Sequence, residues 1–340
     1  VGQETGWLPC HVTVRDEGLL VEAIPLYLKT DSYGEYIFDW GWAGASQRAG
    51  IPYYPKLVSA VPFTPASGRR FLVKDDAVDG PVFEALVTGI QALAERSKAH
   101  SVHILFCTEE ERAALARQHY FLPRLTYQFH WEGAGDQSFD DYLGRMRSSA
   151  RKQIRRERRQ ALESGFTIET LNGHELSEED WFFIYRFYRN TTGRKGAIDY
   201  LTQEFFEQIR TTFAEHAVVS MARHEGTPVA TSLSFEAGKH LYGRYWGATQ
   251  YHEGVHFELC YYQLIERAIS HGYTRFEAGA QGSHKLKRGL LTSPTYSAHW
   301  LAHEGLRDAV AKNLYYEARS AQAEINMYAE HSPYKRSPQT

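Results

Sequence analysis

The sequence predicts an α/β (α+β) protein made of two tandem units with mixed, largely antiparallel sheets. A helix followed by a buried strand occurs twice, at 82–98 with 101–107 and at 255–271 with 274–279, and this repetition indicates a duplicated unit. A chain of 340 residues also exceeds what one hydrophobic core usually supports. We place the first unit at 1–135 and the second at 136–340, because the polar, glycine-containing segment 133–138 is the best linker.

The first half alternates strand-like runs with one strongly periodic helix. The runs are 19–30, 33–38 and 53–61, and the tract 39–43 starts a glycine- and alanine-rich connection. Pro81 starts the helix 82–98, whose apolar residues recur every three or four positions. The run 102–106 suits a buried central strand, so we interpret His103 as a core residue. A helix at 109–118 and a strand at 125–131 complete this half.

The second half begins with a helix at 138–164, which Ser138 can cap. Strands at 217–223, 228–236 and 240–247 are separated by short glycine-containing turns, which predicts an antiparallel meander. Further helices are expected at 178–190, 202–214, 255–271 and 305–330, and further strands at 166–171 and 295–301. The helix 255–271 ends before Gly272, a favourable residue for a helix C-terminus.

Composition indicates an ordinary globular protein, with 43% hydrophobic and 23% charged residues. The three cysteines are odd in number and scattered, which argues against a disulfide framework and for a reducing compartment. The sequence contains no apolar run long enough to span a bilayer and no secretory leader at its start. We therefore expect a cytoplasmic protein.

The segment 274–290 has the character of a binding site. A short apolar run ends at Phe276, and three glycines follow, with two lysines, an arginine and a histidine between the last two: Gly279, Gly282, His284, Lys285, Lys287, Arg288 and Gly289. Glycines let successive backbone N–H groups form an anion-binding concavity, which nearby cations reinforce. The alternative is a basic surface loop.

The predicted helix 138–164 is strongly basic although the whole chain has a net charge of −3. Eight cations lie between 145 and 159, and only Glu157 opposes them. Like charges four positions apart destabilise a helix, so this density favours a polyanion partner over a merely solvated face. The residues predicted to bind nucleic acid are Arg147, Arg151, Lys152, Arg155, Arg156 and Arg159.

Several motifs along the chain resemble those of known acyltransferases. They are Trp40-Gly-Trp-Ala, Tyr53-Tyr-Pro-Lys, Pro62-Phe-Thr-Pro with Gly68-Arg69, the basic segment 149–157 and the turn 279–289. The order of elements resembles the GNAT acyltransferase fold, twice over. The pair of units resembles the Fem-type peptidyltransferases (FemABX), and more closely their bacterial relatives in peptidoglycan biosynthesis or recognition.

This resemblance implies transfer of an aminoacyl group from aminoacyl-tRNA to an amine of a peptidoglycan precursor. The long helical arm of most Fem enzymes has no counterpart here. Acyl-CoA is the other donor of the superfamily, and its pyrophosphate turn is incomplete at both corresponding places, 67–70 and 251–256. The resemblance implies no permanently bound cofactor, and the oligomeric state stays open.

The chemistry requires donors for an oxyanion and an acceptor for the amine proton. Lys285 and Arg288 are the candidates for the anion, and the candidates for the proton are His256, Glu258, Glu277 and His284. The predicted substrate-binding residues are Gly68, Arg69, Arg244, Trp246, Gly279, Gln281 and Gly282. Arg244 could instead pair with Glu258 or Glu277. We expect no metal, because the histidines and glutamates at 252–258 lack a third ligand at zinc spacing.

Two functions fit these observations. One is an N-acyltransferase or aminoacyltransferase that acts on an amine. The other is a non-catalytic protein that binds a cell-wall precursor or RNA through the same groove and basic helix.

Overall fold

The computed structural model describes residues 1–73, 78, 80–118, 120–163, 165–194, 199–250, 252–280 and 282–335. The chain forms two compact units, one of residues 1–127 with 294–326 and the other of residues 128–293 with 327–340. This division differs from the one predicted at residue 135. The reason is that a strand near residue 300 pairs with the strand at 101–107, which returns the segment 294–326 to the first unit.

The first unit contains most elements of the N-terminal half. They are β1 (Leu8–Pro9), β2 (Val12–Asp16), β3 (Leu19–Ile24), β4 (Tyr27–Lys29), α1 (Trp40–Arg48), β5 (Lys56–Ser59), α2 (Pro81–Ser97), β6 (Ser101–Cys107), α3 (Glu109–Gln118) and the start of β7 (Leu122–Glu132). The predicted run 19–30 is split between β3 and β4 at Pro25, which has no backbone N–H to donate. No strand forms at 33–38, and the tract 39–43 is the start of helix α1, so both of these predictions were wrong.

The second unit contains the remaining elements up to residue 293. They are α4 (Phe139–Gly144), α5 (Ser148–Leu162), β8 (Thr167–Asn172), α6 (Glu178–Arg194), α7 (Gln203–Thr212), β9 (Ala217–His224), β10 (Thr227–Ala237), β11 (His240–Ala248), α8 (Val255–Phe257), a π-helical turn (Glu258–Tyr262), α9 (Gln263–Ser270), β12 (Arg275–Glu277) and a 3₁₀ helix (Ser283–Arg288). The chain then continues through β13 (Leu291–Leu301) and α10 (Glu304–Glu330).

The two units share one strand pattern. In the first, β4 and β5 are antiparallel, β5 and β6 are parallel, and β13 runs antiparallel beside β6. In the second, β9 to β11 form the predicted antiparallel meander, and β8 pairs antiparallel with β9. β12 lies parallel to β11, and β7 runs antiparallel beside β12. The parallel step follows a helical crossover in both units, α2 in the first and the segment from α8 to α9 in the second. The duplicated helix-and-strand pattern is thus confirmed.

The apolar core of the first unit lies between α2 and one face of its sheet. Phe83, Leu86 and Ile90 of α2 are buried against Leu57 and Ile104 of the strands. The predicted helical period therefore marks the buried face correctly. His103 is buried, as expected for a core histidine, and it faces the other side of the sheet from Ile104.

The single helix predicted at 138–164 is wrong, because α4 and α5 are separate helices. Residues 145–147 interrupt them: Arg147 has an extended backbone, and Met146 is buried and bridges to Tyr334. The C-terminal segment supplies the reason, since Arg147 N–H donates to Pro333 O at 2.9 Å and Lys335 N–H donates to Arg145 O at 2.9 Å. Among the described residues, no helix is both long and apolar enough to cross a membrane.

Candidate active site

The segment after β12 folds into a compact turn of the second unit. We call the 3₁₀ helix Ser283–Arg288, with its flanking glycines, the Lys285 turn. Gly282 has φ of 112° and Gly289 has φ of 79°, a region that side chains disfavour. A Cβ on Gly289 would lie 2.5 Å from Tyr142 Oη, so only glycine allows this close approach. The turn is packed against the unit rather than projecting from it.

Lys285 is the most unusual side chain of the turn. Only 2% of it is exposed, and its ammonium donates to Gly279 O at 2.7 Å. In the described part of the chain, no carboxylate pairs with this ammonium. Burial therefore lowers the pKa of Lys285 to about 8, a shift that Cys260 opposes. A buried cation without a counter-ion is costly, which points to a function rather than to stability.

Arg288 behaves in the opposite way, because its charge is matched inside the protein. Its guanidinium donates to Glu157 Oε1 at 2.8 Å and to His284 O at 2.8 Å, and lies 3.4 Å above the Phe257 ring. Tyr262 donates to the other oxygen of Glu157. The guanidinium thus fastens the Lys285 turn to α5, and the predicted contact of Arg288 with a substrate anion stays a prediction.

Glu258 is also an internal partner and not a free base. It is fully buried at the start of the π-helical turn, where Arg158 donates to both of its oxygens at 2.9–3.2 Å. Gln263 donates to Oε1 at 2.8 Å. Arg158 and Gln263 therefore occupy both oxygens of Glu258 inside the unit. The role of Glu258 as one of four candidates for the proton stays a prediction.

The two histidines predicted at the site lie in an aromatic group. His284 Nε2 is 3.0 Å from Tyr261 Oη, and burial, with smaller effects of Arg288 and Lys285, lowers the pKa of His284. His256 contacts the rings of Trp246, Phe257 and Tyr261 edge to face, with centroids 5.0–5.8 Å apart. His284 is thus neutral near pH 7, and this histidine sits on the same turn as Lys285.

Glu277 ends β12 and is buried. His130 Nε2 of the paired strand lies 4.0 Å from Glu277 Oε2, and burial lowers the pKa of His130 to about 3. The imidazole is therefore neutral, and the pair is not a full ion pair. The role of Glu277 as a candidate for the proton stays a prediction.

Strand β11 offers an open edge beside the Lys285 turn. β12 pairs with β11 at 240–242, whereas β11 continues to Ala248. Among the described residues, the edge 243–248 therefore has no partner strand on the β12 side. Arg244 and Trp246 lie in this stretch, with the Arg244 guanidinium 5.2 Å from the Tyr245 ring. An open strand edge can bind an extended ligand through main-chain hydrogen bonds.

Gly279 borders this edge, since a Cβ on Gly279 would lie 3.8 Å from Gly243 O, whereas a Cβ on Gly282 would meet the ring of His284. Gln281 lies outside the described residues. Gly68 and Arg69 belong to the first unit, where Gly68 N–H donates to Phe106 O at 3.0 Å. The structure thus brings most predicted substrate residues together in the second unit but places this pair in the first.

The basic face of α5 is largely unpaired. Arg155 contacts Asp140 at 3.1 Å, and Arg147 donates to Tyr334 O. The remaining predicted cations have no carboxylate partner in the described chain: Arg151, Lys152, Arg156 and Arg159. Arg158 instead turns inward to Glu258 and Glu266. The helix therefore has an outer face of free cations and an inner face of ion pairs.

Glu157 and Tyr142 are site residues that sequence reasoning missed. Glu157 is 7% exposed and holds Arg288, while the Tyr142 hydroxyl donates to Arg288 O. One signal was present: Glu157 is the single acid among eight cations, as expected if it has an inward partner. For Tyr142 we find no such signal.

Comparison with known proteins identifies one matching family and several solved structures with a similar fold. The FemAB-like family, described as peptidoglycan biosynthesis/recognition, matches residues 1–336. No curated protein matches the chain significantly. Among solved structures, FemX has a TM-score of 0.55 at 13% identity over 91% of each chain.

Two further structures have the same fold. The C-terminal domain of a candidate lysylphosphatidylglycerol synthetase from Agrobacterium fabrum has a TM-score of 0.57 at 10% identity, over 93% of this chain and 89% of that one. L-PGS from Bacillus licheniformis has a TM-score of 0.55 at 12% identity, over 86% and 85%. Since the family match spans almost the whole sequence, this chain belongs to the FemAB-like family, and it shares the fold of FemX.

Proposed function

We propose that the chain transfers an aminoacyl or acyl group from an activated donor to an amine of a peptidoglycan precursor. The observation that carries this proposal is Lys285, a buried ammonium for which the described residues offer no carboxylate partner, beside a strand edge that none of them pairs. The family supports a role in peptidoglycan biosynthesis or recognition. The identity of the acceptor is part of the proposal.

In the proposed reaction, the acceptor nitrogen attacks the donor carbonyl carbon, and the bond to the leaving oxygen or sulfur breaks. Negative charge develops on the carbonyl oxygen, where a preorganised cation in a dry site stabilises it most. Lys285 has three N–H groups and uses one for Gly279 O, so two remain for this oxygen. Its pKa of about 8 keeps the ammonium charged at neutral pH.

The acceptor amine must lose a proton to form the amide; we assign this proton to His284, which then gives it to the leaving oxygen or sulfur. The imidazole lies on the Lys285 turn and is neutral near pH 7, because burial lowers its pKa. Tyr261 Oη, at 3.0 Å from Nε2, orients the ring. The rest of the rate arises from holding two substrates in one place.

We infer that aminoacyl-tRNA is the donor, because the outer face of α5 presents four cations that pair with no carboxylate of the described residues. Acyl-CoA fits less well. Gly254, in the position of a pyrophosphate turn, packs against α5, and a Cβ on it would lie 3.0 Å from Glu157 O. The donor assignment stands apart from the transfer chemistry and is tested separately.

The test compares Lys285→Met with Lys287→Met, an exposed lysine two residues further along the same turn. Each variant is supplied with an amine-bearing peptidoglycan precursor and with aminoacyl-tRNA or acetyl-CoA. Lys285→Met should lower kcat about 100-fold or more, while Lys287→Met stays near wild type. Full transfer by Lys285→Met would reject the assignment.

A different pattern would support a non-catalytic binding protein. In that case the wild-type chain binds the precursor or RNA, measured by calorimetry, yet turns over neither donor. Transfer from acetyl-CoA but not from aminoacyl-tRNA would keep the chemistry and overturn only the donor.

A further inference from the structure

The C-terminal segment 333–335 pairs with the break between α4 and α5. Arg147 N–H donates to Pro333 O at 2.9 Å, and the bridge between the two segments is antiparallel. Lys335 N–H donates to Arg145 O, also at 2.9 Å. The Arg147 guanidinium adds a third bond to the backbone of the same segment, at 3.1 Å. We call residues 333–335 the C-terminal strap, because its own backbone fastens it to the second unit.

The strap carries a side chain that reaches the Lys285 turn. The Tyr334 hydroxyl donates to Gly289 O at 2.8 Å. The Tyr142 hydroxyl of α4 donates to the preceding carbonyl, Arg288 O, at 2.5 Å. Both carbonyls lie at the C-terminal end of the 3₁₀ helix, where carbonyl groups lack a partner within the helix. The two tyrosines thus cap the helix that carries Lys285.

The same side chains enclose the end of the turn. A Cβ on Gly289 would lie 2.5 Å from Tyr142 Oη, 2.6 Å from Met146 Cε and 2.7 Å from Tyr334 Oη. The turn therefore has no room to move toward the strap. The two hydrogen bonds oppose movement away from it.

Both hydroxyls keep the proton that they donate. Burial raises the pKa of Tyr334 to about 12 and that of Tyr142 well above its usual value. The Arg145 guanidinium lies 4.8 Å from the centroid of the Tyr334 ring and is itself paired with Asp136 at 2.5 Å. The Tyr334 ring is thus held by its face as well as by its hydroxyl.

The two capped peptide groups also close the turn around Lys285. Gly289 O and Leu290 N belong to one planar peptide group, and Leu290 N–H donates to Lys285 O at 3.3 Å. Arg288 O and Gly289 N belong to the group before it, and Gly289 N–H donates to Leu286 O at 3.0 Å. Each tyrosine therefore holds by its carbonyl a peptide group whose N–H closes the turn.

Lys285 depends on this framework because its ammonium has few contacts. Among the described residues, the ammonium donates to Gly279 O and pairs with no carboxylate. Water solvates an ammonium better than such a dry site does, so burial by itself favours exposure of the side chain. The backbone of the turn must therefore keep the ammonium inside.

We propose that Tyr334 of the C-terminal strap and Tyr142 of α4 are positioning residues, whose hydroxyls hold the Lys285 turn so that its ammonium meets the oxyanion. In this role the tyrosines act through the backbone of the turn and not on the substrate. The inference rests on the proposed function, because the oxyanion belongs to that reaction. A misplacement of about 1 Å can cost on the order of 100-fold in rate, so two hydrogen bonds at the turn are enough to affect catalysis.

The kinetic test removes single hydroxyls from the full chain. Tyr334→Phe and Tyr142→Phe keep the ring and lose one hydrogen bond each, and Tyr316→Phe, an exposed tyrosine of α10, is the matched control. With the donor that the wild type uses, each site variant should lower kcat about tenfold, and the double variant about 100-fold. KM for both substrates should stay within about twofold, because the bonds act on the oxyanion and not on substrate binding. Tyr316→Phe should keep the wild-type constants.

A second measurement follows Lys285 without any substrate. In the chain labelled with ¹³C at lysine Cε, the NMR signal of Lys285 is the one that Lys285→Met lacks. It should titrate near pH 8 in the wild type and in Tyr316→Phe, because burial lowers the pKa of Lys285 to about 8. In Tyr334→Phe and Tyr142→Phe the titration should lie higher by about 0.5 pH or more, because a loosened turn admits water to the ammonium. Circular dichroism reports folding, and if one variant does not fold, the other decides.

The outcomes separate the strap from the reaction. If Lys285→Met loses transfer while both tyrosine variants keep the wild-type kcat and the wild-type titration of Lys285, the positioning role is overturned and the reaction stands. A raised KM with unchanged kcat would also overturn it, because the tyrosines would then act in substrate binding. A wild-type chain that transfers from neither donor would overturn the proposed function, and the titration of Lys285 would then decide by itself whether the tyrosines hold the turn.

Discussion

Replacing Lys285 with methionine should stabilise the protein. The two side chains have similar volume, and methionine has no charge to bury. Burial lowers the pKa of Lys285 from 10.5 to about 8. At about 1.4 kcal/mol per pKa unit, the charged lysine costs roughly 3 kcal/mol in the folded state. Losing the hydrogen bond to Gly279 O destabilises the variant by about 1–2 kcal/mol. We therefore expect the free energy of unfolding to rise by about 1–2 kcal/mol near pH 7.

The gain should depend on pH in a definite direction. Between about pH 8 and pH 10.5 the unfolded chain holds the Lys285 proton and the folded chain does not, so wild-type stability rises with pH there. The advantage of Lys285→Met is therefore full below pH 8 and disappears as the pH approaches 10.5.

The assay is urea denaturation at several pH values, followed by circular dichroism. Lys287→Met is the control, because this lysine is exposed on the same turn, and its effect should stay within about 0.5 kcal/mol. A Lys285→Met protein that is less stable than wild type at pH 7 would refute the reasoning, since the ammonium would then have a stabilising partner.

Four further results are expected. In transfer assays the wild-type rate should fall above about pH 8 as Lys285 loses its charge. In Lys285→Arg this fall should move to higher pH, because a guanidinium does not titrate there. A fall at the same pH in Lys285→Arg would contradict the role of Lys285 in stabilising the oxyanion. In urea denaturation Arg288→Met should lower the free energy of unfolding by about 3–5 kcal/mol, because Glu157 stays buried without its cation. Adding Glu157→Gln should restore part of this loss. Additive effects of the two substitutions would show that the pair is not coupled. Gly289→Ala should be more destabilising than Gly272→Ala, by about 1–3 kcal/mol in the same assay. Both glycines have positive φ, but of these two only Gly289 lacks space for a Cβ atom. Equal effects would show that the packing around Gly289 is loose. In RNA binding at several salt concentrations, the double variant Lys152→Glu, Arg156→Glu should reduce the slope of the logarithm of the binding constant against the logarithm of the salt concentration. The expected reduction is about 0.7–0.9 for each lost phosphate contact, whereas Arg319→Glu on α10 should leave the slope unchanged. An unchanged slope in the double variant would show that α5 does not contact the RNA.

Local patterns were enough to predict much of the fold. The helix 81–97 and the strand 101–107 are within a residue of the predicted bounds, because a buried helical stripe and a continuous apolar run are strong signals. The hairpin turns at Glu225-Gly226 and at 237–239 follow from their glycines. Such elements are determined by neighbours in sequence.

Other features depend on distant parts of the chain and could not be predicted. The break between α4 and α5 arises from hydrogen bonds to residues 333–335, almost two hundred positions away. The return of segment 294–326 to the first unit depends on the pairing of β13 with β6. At the site, Lys285 and Arg288 look alike in sequence, and only the buried Glu157 distinguishes them.

Two buried lysines differ in whether a carboxylate of the protein compensates their charge. Lys56 is bound by two carboxylates, which raise its pKa even though burial opposes this, so its ammonium stays charged at any moderate pH. Lys285 has no carboxylate partner in the described chain, and burial alone dominates its pKa. In the first arrangement the charge of the ammonium is compensated inside the protein. The second has unmatched positive charge, which is best compensated by an anion that forms during a reaction. A carboxylate introduced beside Lys285, as in Gly279→Asp, should therefore raise the pKa of Lys285 and lower the transfer rate together; a change in only one of the two would separate the ammonium from the chemistry.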